Sequence, residues 1–320
     1  MISTGPIDNT AIKIEGMAES LQSKDHKDLL DVVDKLRLKG ISRYVDLPQI
    51  IVCGDQSSGK SSVLEPISGM SFPTKDNLCT RFATELILRR SDASSIRSSI
   101  LPSHDRPDTE KAKLLNFAFA GDDMDISQIV EDARLAMGLE GSDGKVFSKD
   151  ILRIEISGPT QPHLTMVDLP GLFLAGNKDQ SAADSTSVKS LVVEYMKRPR
   201  SIILAVVSAK SDFALQQVTE YTRAIDPKGH RTLGLITKPD TLDKGSDSEQ
   251  FFVDLAQNKD VNFRLGWHVL RNRDFTTRSA TATERDAKEA EFFFGRRMDY
   301  AKDVTAGCNG IKTTLENSNI

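Results

Sequence analysis

The chain has 320 residues, of which 38% are hydrophobic and 28% charged, and its formal net charge is −4. That length accommodates one large domain or two ordinary ones, and the mildly acidic balance argues against broad attachment to nucleic acid or to an anionic membrane. Three scattered cysteines (Cys53, Cys79, Cys308) exclude a disulfide framework and a CxxC zinc site; with no signal-peptide pattern and no apolar run near the ~20 residues of a membrane span, a soluble chain in a reducing, cytosolic compartment is expected.

Residues 1–40 are polar with one helical pattern, in which Leu29, Leu30, Val33 and Leu36 share a face and Gly40 ends the helix. Leu47 to Cys53 reads as a buried strand entering a glycine-rich turn. Further strands are expected at 84–88, 151–156, 164–167, 201–207, 232–236 and 267–270, with helices at 126–137 and 188–196. Strands alternating with helices imply an α/β fold with a mostly parallel central sheet covered on both faces. The serine-rich stretch from Ser91 to Gly144 reads as a polar surface insertion between early strands, irregular apart from its one helix. The basic runs Lys197, Arg198, Arg200 and Arg296, Arg297 read as solvated surface.

Four motifs carry chemistry. Gly54-Asp55-Gln56-Ser57-Ser58-Gly59-Lys60-Ser61 fits the P-loop pattern GxxxxGK[ST], with a strand before it and a helix-forming segment after. Its glycines let backbone N–H groups turn inward around a phosphate, and the helix N-terminus adds partial positive charge. Lys60 then reaches the β- and γ-phosphates, and the Ser61 hydroxyl is a Mg²⁺ ligand. Asp168-Leu169-Pro170-Gly171 closes a later strand. Its carboxylate can hold Mg²⁺, usually through water, and the Gly171 N–H can meet the γ-phosphate; alone, DxPG is also a common turn.

Thr237-Lys238-Pro239-Asp240 follows the strand at 232–236. The Asp240 carboxylate can accept from the ring N–H and the exocyclic amine of guanine, a donor pair that adenine lacks. Lys238 can lie over the base and tie this loop to the P-loop. Asn272 and Arg273 stand where a last base-contacting loop would be, although they also fit an ordinary polar loop. Asp243 is a weaker candidate for base or ribose.

With these motifs the chain resembles the GTPase domain of the dynamin superfamily, in its fungal and Mx-like branch, over roughly residues 41–300. The likeness rests on Leu47-Pro48-Gln49-Ile50 leading into Gly54 to Ser62, Val63, Leu64 and Glu65, on Cys79-Thr80-Arg81 as a first switch, and on the two later motifs. Ala224-Ile225-Asp226-Pro227 and Glu289-Ala290-Glu291-Phe292-Phe293 are also similar. The resemblance implies a dynamin-type P-loop GTPase that turns GTP into GDP and phosphate with Mg²⁺ held by Ser61, Thr80 and Asp168.

Leu172 stands where Ras-type GTPases carry a catalytic glutamine, so the resemblance passes water orientation to Gln56 and Ser57. The Thr80 carbonyl and the Gly171 N–H join them. It also implies a homodimer paired across the nucleotides, with a monovalent cation, Na⁺ or K⁺, near Ser57 and the first switch. Two departures stand out. Lys75 and Asn77 replace glycines of the cation loop, and Pro66 lies inside the helix after the P-loop, which should be kinked or short.

The domain reading is an N-terminal helical segment (1–40), a GTPase domain (41–300) and a polar tail (301–320). No stalk or membrane-binding region is recognisable. Stalk and membrane contacts, with a peripheral membrane or organelle location, are expected only if the chain is a fragment of a membrane-remodelling or Mx-like protein. Two other readings remain open: a nucleotide-controlled binding module with negligible hydrolysis, and an ATPase, which Asp240 argues against.

Overall fold

The computed structural model describes residues 32, 48–68, 80–121, 125–139, 146–159, 161, 164–174, 181–295 and 305–306. The chain divides into two compact units, Met1–Leu47 and Pro48–Ile320. Apart from Val32, which is helical and exposed, the described residues belong to the second. The rest of the expected N-terminal helix lies outside the described residues. So do Lys75, Asn77 and Cys79.

Among the described residues, the second unit has ten strands, β1 (Gln49–Gly54), β2 (Ala83–Arg90), β3 (Ser95–Leu101), β4 (Ala118–Gly121), β5 (Ile151–Gly158), β6 (Leu164–Asp168), β7 (Ser201–Ser208), β8 (Thr232–Thr237), β9 (Trp267–Leu270) and β10 (Thr305–Ala306). They form one sheet in the order β10-β9-β8-β7-β1-β6-β2-β5-β3-β4. From β10 to β6 neighbouring strands run parallel. β2 then pairs antiparallel with β6 and parallel with β5, while β3 is antiparallel to both its neighbours. Backbone 305–306, assigned from sequence to a polar tail, instead pairs with β9 at His268 and Val269.

The helices are α1 (Lys60–Ser68), α2 (Asp108–Leu115), α3 (Ile126–Ala136), α4 (Ala182–Lys197), α5 (Gln217–Ile225), α6 (Asp247–Ala256) and α7 (Ala282–Gly295). Successive side chains of β1 serve opposite faces of the sheet, as a pleated strand requires. Ile50 and Val52 pack with Val63, Leu64 and Ile67 of α1 and Ile126 and Ile129 of α3. Ile51 and Cys53 pack with Val188 and Val192 of α4, Val218 of α5 and Phe252 of α6. Both faces are therefore covered, which is why β1 and β8 are buried at every position.

Helix starts follow local chemistry. The Ser181 hydroxyl and the Asp184 carboxylate cap each other's backbone N–H groups at α4, and Ser246 caps α6 through Glu249 N–H. Pro66 lies in the last turn of the nine-residue α1. No described helix is long and apolar enough to cross a membrane.

The stretch 91–144 does lie between β2 and β5, but it is not irregular. It contributes β3 and β4 to the sheet, and α2 as well as the expected α3. Ile96, Ser98 and Ile100 of β3 are buried while Arg97 is exposed, and Ile96 and Ile100 face Ile156 and Leu152 of β5. The period-2 pattern is present, but Ser98 on the inward face and Ser99 beside it hide the hydrophobic signal.

Candidate functional site

The C-terminal ends of β1, β6, β7, β8 and β9 lie along one edge of the sheet, the side on which open α/β sheets bind ligands. The loops that leave them carry the sequence motifs. After β1, the chain takes left-handed conformations at Ser57 (φ 62°) and Gly59 (φ 98°), so that consecutive N–H groups form an anion-binding concavity ending at the N-terminus of α1. Gly54 has no room for a side chain, since a Cβ there would lie 2.5 Å from the Val206 carbonyl oxygen.

Lys60 is buried, and its ammonium donates to the carbonyls of Gly54 (3.1 Å) and Asp55 (2.9 Å). A cation buried within its own loop is poised to trade those carbonyls for stronger anionic partners. Asp55 faces elsewhere. Its carboxylate accepts from the N–H groups of Gln217 (3.1 Å) and Val218 (3.3 Å) at the start of α5. Burial pushes this carboxyl up, while the two N–H bonds and Lys60 oppose the shift. Asp55 thus ties the loop to α5 through its side chain, while its backbone carbonyl accepts from Lys60.

Gln56 N–H donates to the Leu172 carbonyl at 2.8 Å, and Leu172 N–H donates back to Gly54 at 3.1 Å. These bonds place Gly171 directly against the P-loop: a Cβ there would lie 2.8 Å from both Lys60 Nζ and Gln56 Cα. Leu172, in the position of the Ras-type glutamine, is buried in the core. Ser57 is exposed, Gln56, Gly59, Ser61 and Ser62 are half-buried, and the buried Ser58 hydroxyl has no hydrogen-bond partner.

Asp168 ends β6 in a buried position. The Thr80 hydroxyl donates to its Oδ2 at 2.9 Å, and its Oδ1 is buried without a partner. Desolvation pushes the carboxyl up to about 6, against the pull of Lys60 and the Thr80 hydrogen bond. A buried carboxylate oxygen with nothing to accept is costly unless a cation or ordered water completes it. Asp168 and Thr80, two of the three expected Mg²⁺ groups, are therefore together, and the orphaned oxygen fits a hard cation that takes oxygen ligands.

After β8, the Thr237 hydroxyl donates to the Ser58 carbonyl (2.5 Å) and that of Val207 (3.1 Å). Lys238 adopts a left-handed conformation (φ 57°), and its ammonium donates to the Ser57 carbonyl at 2.8 Å. The third motif is thereby fastened to the first, with Asp240 half-buried beyond it. Asp243 is exposed, and its carbonyl accepts from Ser246 N–H in the turn before α6.

After β9, both polar atoms of the Asn272 side chain are buried without partners. The Arg273 guanidinium, offered from sequence as a base contact, has two partners within the protein. It ion-pairs with Glu65 of α1 and donates to the Ala280 carbonyl at 2.7 Å. Glu65 and Glu289, both buried, are quoted in the sequence patterns but gain a place only from the fold. Glu289 Oε1 accepts from Arg271 N–H at 2.8 Å. The nearest signal in sequence is an acid inside the apolar run Val63-Leu64-Glu65-Pro66-Ile67.

Residues 50–239 match the family described as Dynamin family. The interferon-induced GTP-binding protein Mx of Perca fluviatilis is 34% identical over 268 residues, 82% of this chain and 83% of that protein. Mx2 of Canis lupus familiaris is 33% identical over 266 residues, 82% of this chain and 35% of that protein. Mx of Dicentrarchus labrax is 31% identical over 266 residues, 82% and 38% respectively. The chain spans well under half the length of these last two relatives.

Proposed function

The chain belongs to the dynamin family, and from that premise we propose that it binds Mg²⁺-GTP and hydrolyses it to GDP and phosphate. The observation that carries the reading is the joining of base and phosphate loops. Lys238 Nζ lies 2.8 Å from the Ser57 carbonyl and Thr237 Oγ1 2.5 Å from that of Ser58, so a purine seated by Asp240 has its phosphates over the P-loop.

Ser61, Thr80 and Asp168 would hold Mg²⁺, which supplies charge neutralisation on the β- and γ-phosphate oxygens. Lys60 leaves the carbonyls of Gly54 and Asp55 for the same oxygens. Gln56, the Thr80 carbonyl and the Gly171 N–H orient the attacking water in line with the γ-phosphorus. The bond to the β–γ bridging oxygen then breaks, and GDP leaves with its electron pair. Ser57, exposed at the rim of the loop, would serve a monovalent cation and a second domain. Pairing of two such domains, a cytosolic location and service to a membrane-remodelling or Mx-like parent protein complete the proposal.

The test is phosphate release from Mg²⁺-GTP, Mg²⁺-ATP and Mg²⁺-XTP at several protein concentrations. GTP turnover well above ATP turnover is expected, rising per molecule with protein concentration. In Asp240→Asn the amide opposes one guanine donor with its own N–H, and preference shifts toward XTP by roughly tenfold to a hundredfold. GTP binding with no turnover would leave a nucleotide-controlled binding module, and an unchanged base preference in Asp240→Asn would remove Asp240 from the base site.

A further inference from the structure

The loop after β9 is gripped from two sides by buried carboxylates. On one side Glu65, from the helix that begins at Lys60, ion-pairs with the Arg273 guanidinium, and Arg285 of α7 approaches the same Glu65 oxygen at 3.7 Å. On the other side Glu289 of α7 accepts from Arg271 N–H at 2.8 Å, and the Arg271 guanidinium donates to the Lys288 carbonyl at 3.0 Å. Glu65 and Glu289 are 8% and 3% exposed. Between the two gripped arginines sits Asn272, whose amide oxygen and nitrogen are both buried and both unpartnered. A buried primary amide with all its hydrogen-bonding capacity unused is rare in a folded protein, and its surroundings keep it available for a ligand.

We propose that Glu65 and Glu289 are positioning residues that clamp residues 271–273 and so aim the Asn272 amide at the bound guanine. The proposal rests on the guanine-site reading above. Neither carboxylate touches the nucleotide. Glu65 acts through Arg273, whose other anchor is the Ala280 carbonyl at 2.7 Å, and Glu289 acts through the backbone of Arg271. One helix therefore serves both ends of the nucleotide, with Lys60 and Ser61 at its start for the phosphates and Glu65 one turn further on for the base loop. The other jaw is α7, so anything that displaces α7 alters guanine affinity through Arg271 and Arg285.

The experiment compares wild type, Glu65→Gln, Glu289→Ala and Glu289→Gln by stopped-flow dissociation of a fluorescent GDP, by steady-state GTP turnover and by thermal melting. Glu65→Gln and Glu289→Ala should release GDP faster by about tenfold to a hundredfold, with the rise in KM exceeding the fall in kcat. Glu289→Gln keeps an acceptor for Arg271 N–H and should release GDP close to the wild-type rate. If folded Glu65→Gln and Glu289→Ala release GDP at the wild-type rate, or lose only melting temperature, the clamp is overturned and both acids are purely structural. If Glu65→Gln does not fold, Glu289→Ala against Glu289→Gln decides alone. Absence of GDP binding by wild type would bring down the guanine-site reading and the clamp with it, whereas binding that the variants leave unchanged brings down only the clamp.

Discussion

Two buried aspartates in this molecule behave in opposite ways. Asp150, just ahead of β5, is fully buried and surrounded by donors: Ser103 N–H at 2.8 Å, the Ser148 hydroxyl at 2.5 Å and the Arg106 guanidinium at 2.5 Å. Burial pushes its carboxyl up, but these bonds and the arginine's charge together hold it below the ordinary carboxylate range. Asp168, at the end of β6, has one hydroxyl donor and one orphaned oxygen, and burial pushes it up to about 6. A carboxylate supplied with partners by its own chain stabilises the inserted half of the sheet. One left short of partners costs stability until something from solution completes it.

The same contrast separates the two halves of the sheet. In the inserted half, charged side chains pair with each other, as Arg153 does with Glu85 across β5 and β2 at 2.8 Å. At the nucleotide edge, the Lys60 ammonium donates to the carbonyls of Gly54 and Asp55, and the side chains of Ser58 and Asn272 have no hydrogen-bond partner. The Ser98 hydroxyl of β3 is buried without a partner as well, so it is the coincidence of such groups with the phosphate-loop and base-loop motifs that marks the site.

Substitutions can break this comparison. The largest effect is expected at Lys60. Lys60→Ala removes the fixed positive charge at the phosphates and should lower GTP affinity by about a hundredfold or more, with a small change in melting temperature. Calorimetric titration checks it, and wild-type affinity in the folded variant would remove Lys60 from the phosphate site.

At Asp150 the expected loss is in stability. Asp150→Ala leaves Arg106 with Glu110 as its remaining acid and should cost about 2 kcal/mol, less than a fully buried pair because Arg106 is partly exposed. Denaturant unfolding measures this, and nucleotide affinity should stay within about twofold. Because the folded carboxyl lies below its unfolded value near 3.8, its contribution is present above that pH and is lost as pH falls further.

Asp168 should give the smallest change in stability, with the opposite sign. Its folded carboxyl, at about 6, holds a proton that the unfolded chain has already released between roughly pH 4 and 6. Stability of the nucleotide-free protein therefore falls as pH rises through that window, and the penalty is complete above it. Asp168→Asn should raise stability at pH 7.5 by on the order of 1–2 kcal/mol, with a smaller gain at pH 5, while abolishing the response of nucleotide binding to Mg²⁺. Thermal melts with and without Mg²⁺-GDP at both pH values test this; destabilisation at pH 7.5 would mean that the carboxylate is already satisfied within the protein.

Much of this molecule was legible in the sequence because its signals are local. The P-loop needs glycine at Gly54 and Gly59 for steric and φ reasons that hold wherever that turn occurs. The strand Ser201–Ser208 announces itself as a run of β-branched and aliphatic residues. DLPG and TKPD state their chemistry in four residues each. What the sequence concealed depends on residues far apart in the chain. The serines of β3 read as surface until β5 pairs beside them. Asp55 reads as part of a phosphate loop until α5, more than 160 positions on, presents two N–H groups to it. Arg273 reads as a loop residue beside the base, and only the fold gives its guanidinium a partner in Glu65, 208 residues earlier. Backbone conformation and residue chemistry set what each loop could bind. Burial and partner choice, which exist only once the sheet has brought distant segments together, decided which polar groups were satisfied within the protein and which were left for a ligand.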